Sequence, residues 1–241
     1  MYHFRLYLCL LFFALGSFSA YAQQSPYRFG LHVTPNFSWV SPETRLLNRG
    51  QGGVGFGYGL MVERSIGNGN YFFSTGLSVT QLQYSSSIDS AVYKLPNGTS
   101  SYFANPNYEY RVQYFELPLT MKMRTNQMGS VRIYGQFGLA TGVAFQAKAR
   151  VNNTPAVFDP EEFFFINQVD DYKPTESLRT DDRVNAFRAS ILIGAGIEYL
   201  LSGDTHLVFG LRLDNPFTDA YRGDKLNGRT SMAGLQVGII F

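Results

Sequence analysis

Apolar and polar residues alternate with a period of two through most of the chain beyond residue 26. The pattern is longest between Gln113 and Phe145. In its first half Phe115, Leu117, Leu119, Met121 and Met123 fall on one face, and Tyr114, Glu116, Pro118, Thr120 and Lys122 on the other. A polar turn from Thr125 to Ser130 follows. Val131, Ile133, Phe137, Leu139, Val143 and Phe145 then share one face, while Arg132, Tyr134, Gln136, Gly138, Ala140, Gly142, Ala144 and Gln146 share the other. Successive side chains of a strand point to opposite faces, so the stretch predicts a long β-hairpin with one apolar and one polar side.

The same alternation recurs over about 27–39, 54–63, 71–80, 187–199, 206–214 and 234–241, which makes eight strands in all. Gly- and Asn-rich connections at Ile66–Asn70 and Ser202–Asp204, like the one at Thr125–Ser130, have the composition of tight turns. Between them lie longer polar stretches, Ser41–Gly52, Ser85–Glu109, Lys148–Val184 and Asn215–Arg229. Connections that alternate long and short place every tight turn at one end of the sheet. The expected fold is therefore all-β: an eight-stranded antiparallel up-and-down transmembrane β-barrel with short periplasmic turns and long extracellular loops. Tyr27 and Trp39 bracket the first strand. At ~3.3 Å per residue and ~45° tilt they span roughly 28 Å, one hydrocarbon layer. Pro35 removes a ladder donor from that strand and predicts a bulge or a locally weak edge.

Alternation alone does not say which face is inside, because a soluble lipocalin-like barrel has the same pattern inverted. Composition decides. A water-facing wall carries many Lys and Glu. Here the polar face is mostly Gly, Ser, Thr, Ala and Gln, with Gly55, Gly57, Gly59, Gly138, Gly142, Gly194 and Gly196 among its members. Small residues suit a narrow lumen, and the nearly uncharged apolar face suits lipid. The expected location is the cell outer membrane, with outer-membrane lipid and the barrel-assembly machinery as partners.

The amino terminus supports an exported protein. Arg5, an apolar run from Leu6 to Phe18 and the Ala20-Tyr21-Ala22 site form a secretory signal peptide over 1–22, leaving 23–241 as the barrel. Cys9 is the sole cysteine and lies within that signal, so no disulfide or Cys-based metal site is expected in the mature chain. The formal net charge of +2 carries no nucleic-acid footprint.

The charged residues of the polar face form a balanced set. Glu63, Glu116, Glu198 and Asp214 stand against Lys122, Arg132, Arg188 and Arg212. In a lumen only wide enough for side chains, such a set predicts a salt-bridged plug. Glu198 ends its strand near the periplasmic turns and is expected to neutralise both Lys122 and Arg132. A gated pore is the alternative use of the same residues. His32 and His206 also fall on the luminal face, but no spacing joins them to a nucleophile and an orienting acid, or to a metal ligand set. The acidic residues Asp159, Glu161, Glu162, Asp170, Asp171, Asp181 and Asp182 lack the spacing of a calcium loop, so neither cofactor nor metal is expected. The apolar patch Phe163, Phe164, Phe165 and Ile166 within the longest loop is the candidate partner-binding segment.

Tyr114-Phe115-Glu116-Leu117-Pro118-Leu119 with Lys122, and Gly194-Ala195-Gly196-Ile197-Glu198-Tyr199, resemble two strand motifs of the PorT-like outer-membrane β-barrel family of Bacteroidetes. The Gly-rich second strand and the aromatic end at Phe241 resemble it as well, and Tyr134 to Leu139 is similar to the branch associated with type IX secretion and gliding-type surface export. The resemblance implies a Gram-negative envelope barrel and, through that branch, protein secretion components as partners. These motifs govern strand packing and specify fold rather than activity. The expected function is therefore that of a non-enzymatic, structural or partner-binding outer-membrane barrel, with a small channel or ligand-transporting barrel as the alternative.

Overall fold

The computed structural model describes residues 26–43, 47–67, 69–88, 91–94, 101–104, 107–152, 164–165, 178–179, 184–221 and 227–241. The expected signal segment over 1–22, the acidic residues of the longest loop, and Phe163 and Ile166 lie outside the described residues.

Eight long strands form the wall: β1 (Tyr27–Pro42), β2 (Leu47–Ile66), β3 (Tyr71–Ile88), β4 (Asn107–Arg124), β5 (Val131–Asn152), β6 (Phe187–Ser202), β7 (Thr205–Pro216) and β8 (Gly228–Ile240). Each pairs antiparallel with its sequence neighbour, and β1 also pairs with β8. The pair Phe29 and Phe241 exchanges two backbone hydrogen bonds, Phe29 N–H to Phe241 O at 2.9 Å and Phe241 N–H to Phe29 O at 2.8 Å. The sheet is thus a closed antiparallel barrel with no free edge through its waist. Gly67, Gly129 and Gly203, with φ of 69°, 63° and 56°, occupy the left-handed region in the three tight turns.

The two faces lie as their composition predicts. Side chains such as Phe115, Leu139, Ile193 and Leu211 are exposed outward, while Glu63, Glu116, Lys122, Arg188, Glu198, Arg212 and Asp214 are buried within. A globular core is absent from this arrangement; the lumen is the core.

Pro35 has a different effect from a bulge. Registers on both sides of it are continuous, Pro35 faces Phe56 on β2, and the ladder to β8 lapses between Val33 and Asn36. The missing donor weakens one side of the strand without shifting it. Register shifts occur elsewhere, in β2 between Arg49 and Gly57, in β5 opposite Gln113 and Tyr114, and in β6 between Leu200 and Ser202. The second of these flips the phase of β5, so Gln146 faces outward instead of sharing the luminal face as its parity predicts, and Ala147 turns in.

The polar stretches are shorter than the sequence pattern indicates. The Ser41–Gly52 loop contracts because β1 runs to Pro42 and β2 starts at Leu47. β3 likewise continues to Ile88, β4 begins at Asn107 and β5 continues to Asn152, pairing Ser85 with Glu109 and Glu109 with Arg150. Four strands therefore rise beyond the apolar band at the long-loop end. Above them Ala91–Lys94 pairs with Ser101–Ala104 and with Phe164–Phe165, and Leu178–Arg179 pairs with β5.

Candidate functional site

The lumen contains two ion-pair clusters and an aromatic cap, stacked along the barrel axis. The middle cluster is built from β4, β6 and β7. Glu116 accepts from Arg188 at 2.9 Å, from Arg212 at 3.1 Å and from the hydroxyl of Thr80 at 2.8 Å. Asp214 accepts a two-point contact from Arg212, at 2.9 and 2.6 Å, and lies 3.8 Å from Arg188. Arg212 and Asp214 are two residues apart on one strand and therefore share a face. All four charged side chains are at most 5% exposed, so two carboxylates and two guanidinium groups neutralise one another away from water.

The second cluster lies toward the tight turns. Lys122 Nζ stands 2.6 Å from Glu63 and 2.5 Å from Glu198. Arg124 reaches Glu198 at 2.8 Å; Arg28 reaches Glu63 at 3.0 Å and Glu198 at 3.4 Å. Here three cations share two carboxylates. The surplus lies on aromatic faces: Arg124 is 4.0 Å from the Phe72 centroid and Lys122 is 4.4 Å from that of Tyr134. Tyr134 fits because its neighbours are glycines; a Cβ on Gly210 would overlap its hydroxyl.

The eight charged residues singled out from the sequence are thus divided between two sites, and one member pairs differently from expectation. Arg132 is the direct ladder partner of Glu198. Its guanidinium nevertheless donates to His206 Nε2 at 3.1 Å and to Gln127 Oε1 at 2.9 Å. Glu198 is turned instead to Lys122, Arg124 and Arg28, and so neutralises Lys122 but not Arg132. Arg28 and Arg124 are the cations missing from the expected set. Their parity held the signal, since Arg28 is in phase with His32 and Arg124 with Lys122.

The histidines are separate. His206 Nδ1 lies 2.8 Å from the Asp204 carbonyl, which fixes the proton there and leaves Nε2 to accept from Arg132. His32 Nε2 is 3.4 Å from Ser78 Oγ, and its Nδ1 has no hydrogen-bond partner, so no carboxylate orients it as a catalytic base requires. Among the described residues no three His, Cys, Asp or Glu side chains stand close enough to hold a metal. Between the two ion-pair clusters is a cavity of about 30 Å³, lined by His32, Glu63, Lys122, Tyr134 and Arg212 among others. That is room for roughly one water molecule.

At the long-loop end the lumen turns aromatic. Tyr84 stacks on Tyr110 with centroids 5.3 Å apart, and Tyr110 stacks on Tyr108. Tyr221, from the connection between β7 and β8, stands edge-on to Tyr110 at 5.5 Å and donates its hydroxyl to Ser86 Oγ at 3.0 Å. Leu82, Val112, Tyr114, Val40 and Met232 complete the buried cluster. The sequence pattern shows no sign of this cap, because Tyr84, Tyr108 and Tyr110 adjoin or lie within a stretch that reads as loop.

A closed antiparallel sheet of eight strands, an apolar outer wall and a charged lumen are now joined by the sequence match. Residues 21–222 fit the family described as outer membrane protein beta-barrel domain. The chain belongs to this family. As an outer-membrane β-barrel protein of the small eight-strand type, it sits in lipid with its apolar band in the hydrocarbon. No curated protein matches it. Solved structures similar to this barrel include neisserial surface protein A, at 11% identity over 88% of this chain and 95% of that one, with a TM-score of 0.42. The outer membrane protein AlkL in lipid bilayers is 11% identical over 92% of this chain and 94% of its own, with a TM-score of 0.40. The attachment invasion locus protein Ail of Yersinia pestis, in complex with a heparin analogue, is 13% identical over 90% and 100%, with a TM-score of 0.36.

Proposed function

We propose that this outer-membrane barrel is a non-enzymatic, non-conducting scaffold that binds partners outside its lumen. The observation that carries the reading is the filled interior: two ion-pair clusters, an aromatic cap and a luminal cavity of about 30 Å³. Ion pairs and aromatic rings packed across the described lumen support a closed tube, and neither His32 nor His206 is oriented by a carboxylate as a catalytic base is. Planar-bilayer recording tests it. The purified barrel is expected to give no porin-like steps, and such steps would replace the scaffold with the channel.

The finer part of the reading is a role in surface protein export, supported by the likeness of Tyr114–Lys122 and Gly194–Tyr199 to strands of the PorT-like family. In it the signal over 1–22 is removed, the barrel is inserted by the assembly machinery, and the loop carrying Phe163–Ile166 meets a secretion component. Deleting the gene in its native host should block surface delivery of type IX cargo, and normal delivery would remove the export role.

A further inference from the structure

The outer wall between β3 and β5 has a polarity gradient that the lumen does not use. Within the apolar band lies a broad, shallow concavity of about 740 Å³ that runs from Leu31 on β1 to Phe187 on β6, with Leu77, Val79, Phe115, Leu117 and Val143 of β3–β5 at its middle. Directly above it the ladder sets Gln81, Gln113 and Gln146 side by side, with Gln113 donating to Gln81 Oε1 at 3.2 Å. One further step up, Gln83, Arg111 and Lys148 stand in register, and Arg111 donates to Gln83 Oε1 at 3.3 Å. Arg111 and Lys148 thereby give the strip two exposed cations side by side at this step. In the next ladder step above, Ser85 on β3 pairs with Glu109 on β4.

From Phe115 to Arg111 is four residues, roughly 13 Å along the strand. An apolar groove, a row of amides and a pair of cations at that spacing match an amphiphile with acyl chains, then ester or amide linkages, then phosphate. The strip is at the long-loop end, which faces the outer leaflet. We propose that the outer face of β3–β5 binds a phosphorylated, multiply acylated glycolipid of the outer leaflet, with its phosphate on Arg111 and Lys148 and an acyl chain in the groove. The amides of Gln81, Gln113 and Gln146 contact the linkage region. The binding is noncovalent and leaves the lumen closed.

The test is thermal unfolding of the detergent-solubilised full barrel with added diphosphoryl hexa-acyl lipid A. The unmodified protein should be stabilised by about 5 °C at saturation. The charge-reversed double variant R111E/K148E and the neutral R111Q/K148Q should each lose affinity by on the order of tenfold while remaining heat-modifiable on gels. Val143→Trp, which fills the groove and keeps the cations, should weaken binding as well. No stabilisation of the unmodified protein would overturn the proposal, as would equal affinity in the variants. An equal response to inorganic phosphate would reduce the strip to a bare anion site, and an equal response to phosphatidylglycerol would remove the glycolipid assignment; either result overturns the proposal.

Discussion

The two ion-pair clusters occupy the same tube and solve the same problem differently. In the middle cluster Glu116 and Asp214 meet Arg188 and Arg212, two against two, and every charge finds a partner within the cluster. Near the tight turns Glu63 and Glu198 meet Arg28, Lys122 and Arg124, and Arg132 stands beyond them without a carboxylate. Burial explains the contrast. A dry position tolerates charge only when it is matched. Lys122, Glu63 and Glu198 are as dry as the middle four; the surplus is tolerated because Arg28 and Arg124 are 15% and 7% exposed, and because Phe72 and Tyr134 present aromatic faces to the extra cations. Local neutrality along the lumen therefore tracks depth.

That contrast can be broken by removing one acid from each cluster. Glu116→Ala leaves Asp214 as the one carboxylate for two buried guanidinium groups and should cost roughly 3–5 kcal/mol, read as a fall in the urea midpoint for unfolding from vesicles. Glu198→Ala leaves cations that can turn toward the mouth, so the expected loss is smaller, about 2–3 kcal/mol. Equal losses at the two sites would show that depth does not govern the balance.

The lipid face supplies a reference of comparable size. Leu139→Arg, 45% exposed on the outer wall, should cost about 2–4 kcal/mol if it lies at the bilayer midplane. A silent Leu139→Arg in vesicles would mean that this wall is not in hydrocarbon. Tyr221→Phe removes one hydrogen bond, to Ser86, and keeps the ring in the cap; about 1 kcal/mol is expected in the same urea titration. The smallest effect belongs to Arg132→Ala. Without an ion pair to lose, it should stay within about 0.5 kcal/mol of the unmodified barrel. A loss comparable to that of Glu198→Ala would return Arg132 to the luminal plug.

Parity along each strand determined much of this molecule from the sequence. Facing is a local property: once Tyr114 points in, Glu116 and Lys122 must too, and Phe115 and Leu117 must face out. Seven of the eight charged residues chosen on that basis are buried in the lumen, and the eighth, Arg132, lies nearer its mouth. Parity reverses where a bulge inserts a residue, as at Phe145, because one extra residue changes the facing of the positions beyond it.

Which acid meets which base was decided only by closure of the barrel. Lys122 on β4 meets Glu198 on β6 across the lumen, while Arg132, the ladder partner of Glu198, turns to Gln127 and His206. Such choices depend on strand stagger and on the reach of long side chains around a closed circle, and no single strand contains that information. The same holds for the cap. Tyr84, Tyr110 and Tyr221 come from three distant segments, and their sequence neighbourhoods are polar enough to read as loop. Pairing of β3 with β4, and of β4 with β5, above the bilayer turns those segments into wall. A row of tyrosines becomes a core only when the wall curves round to enclose it.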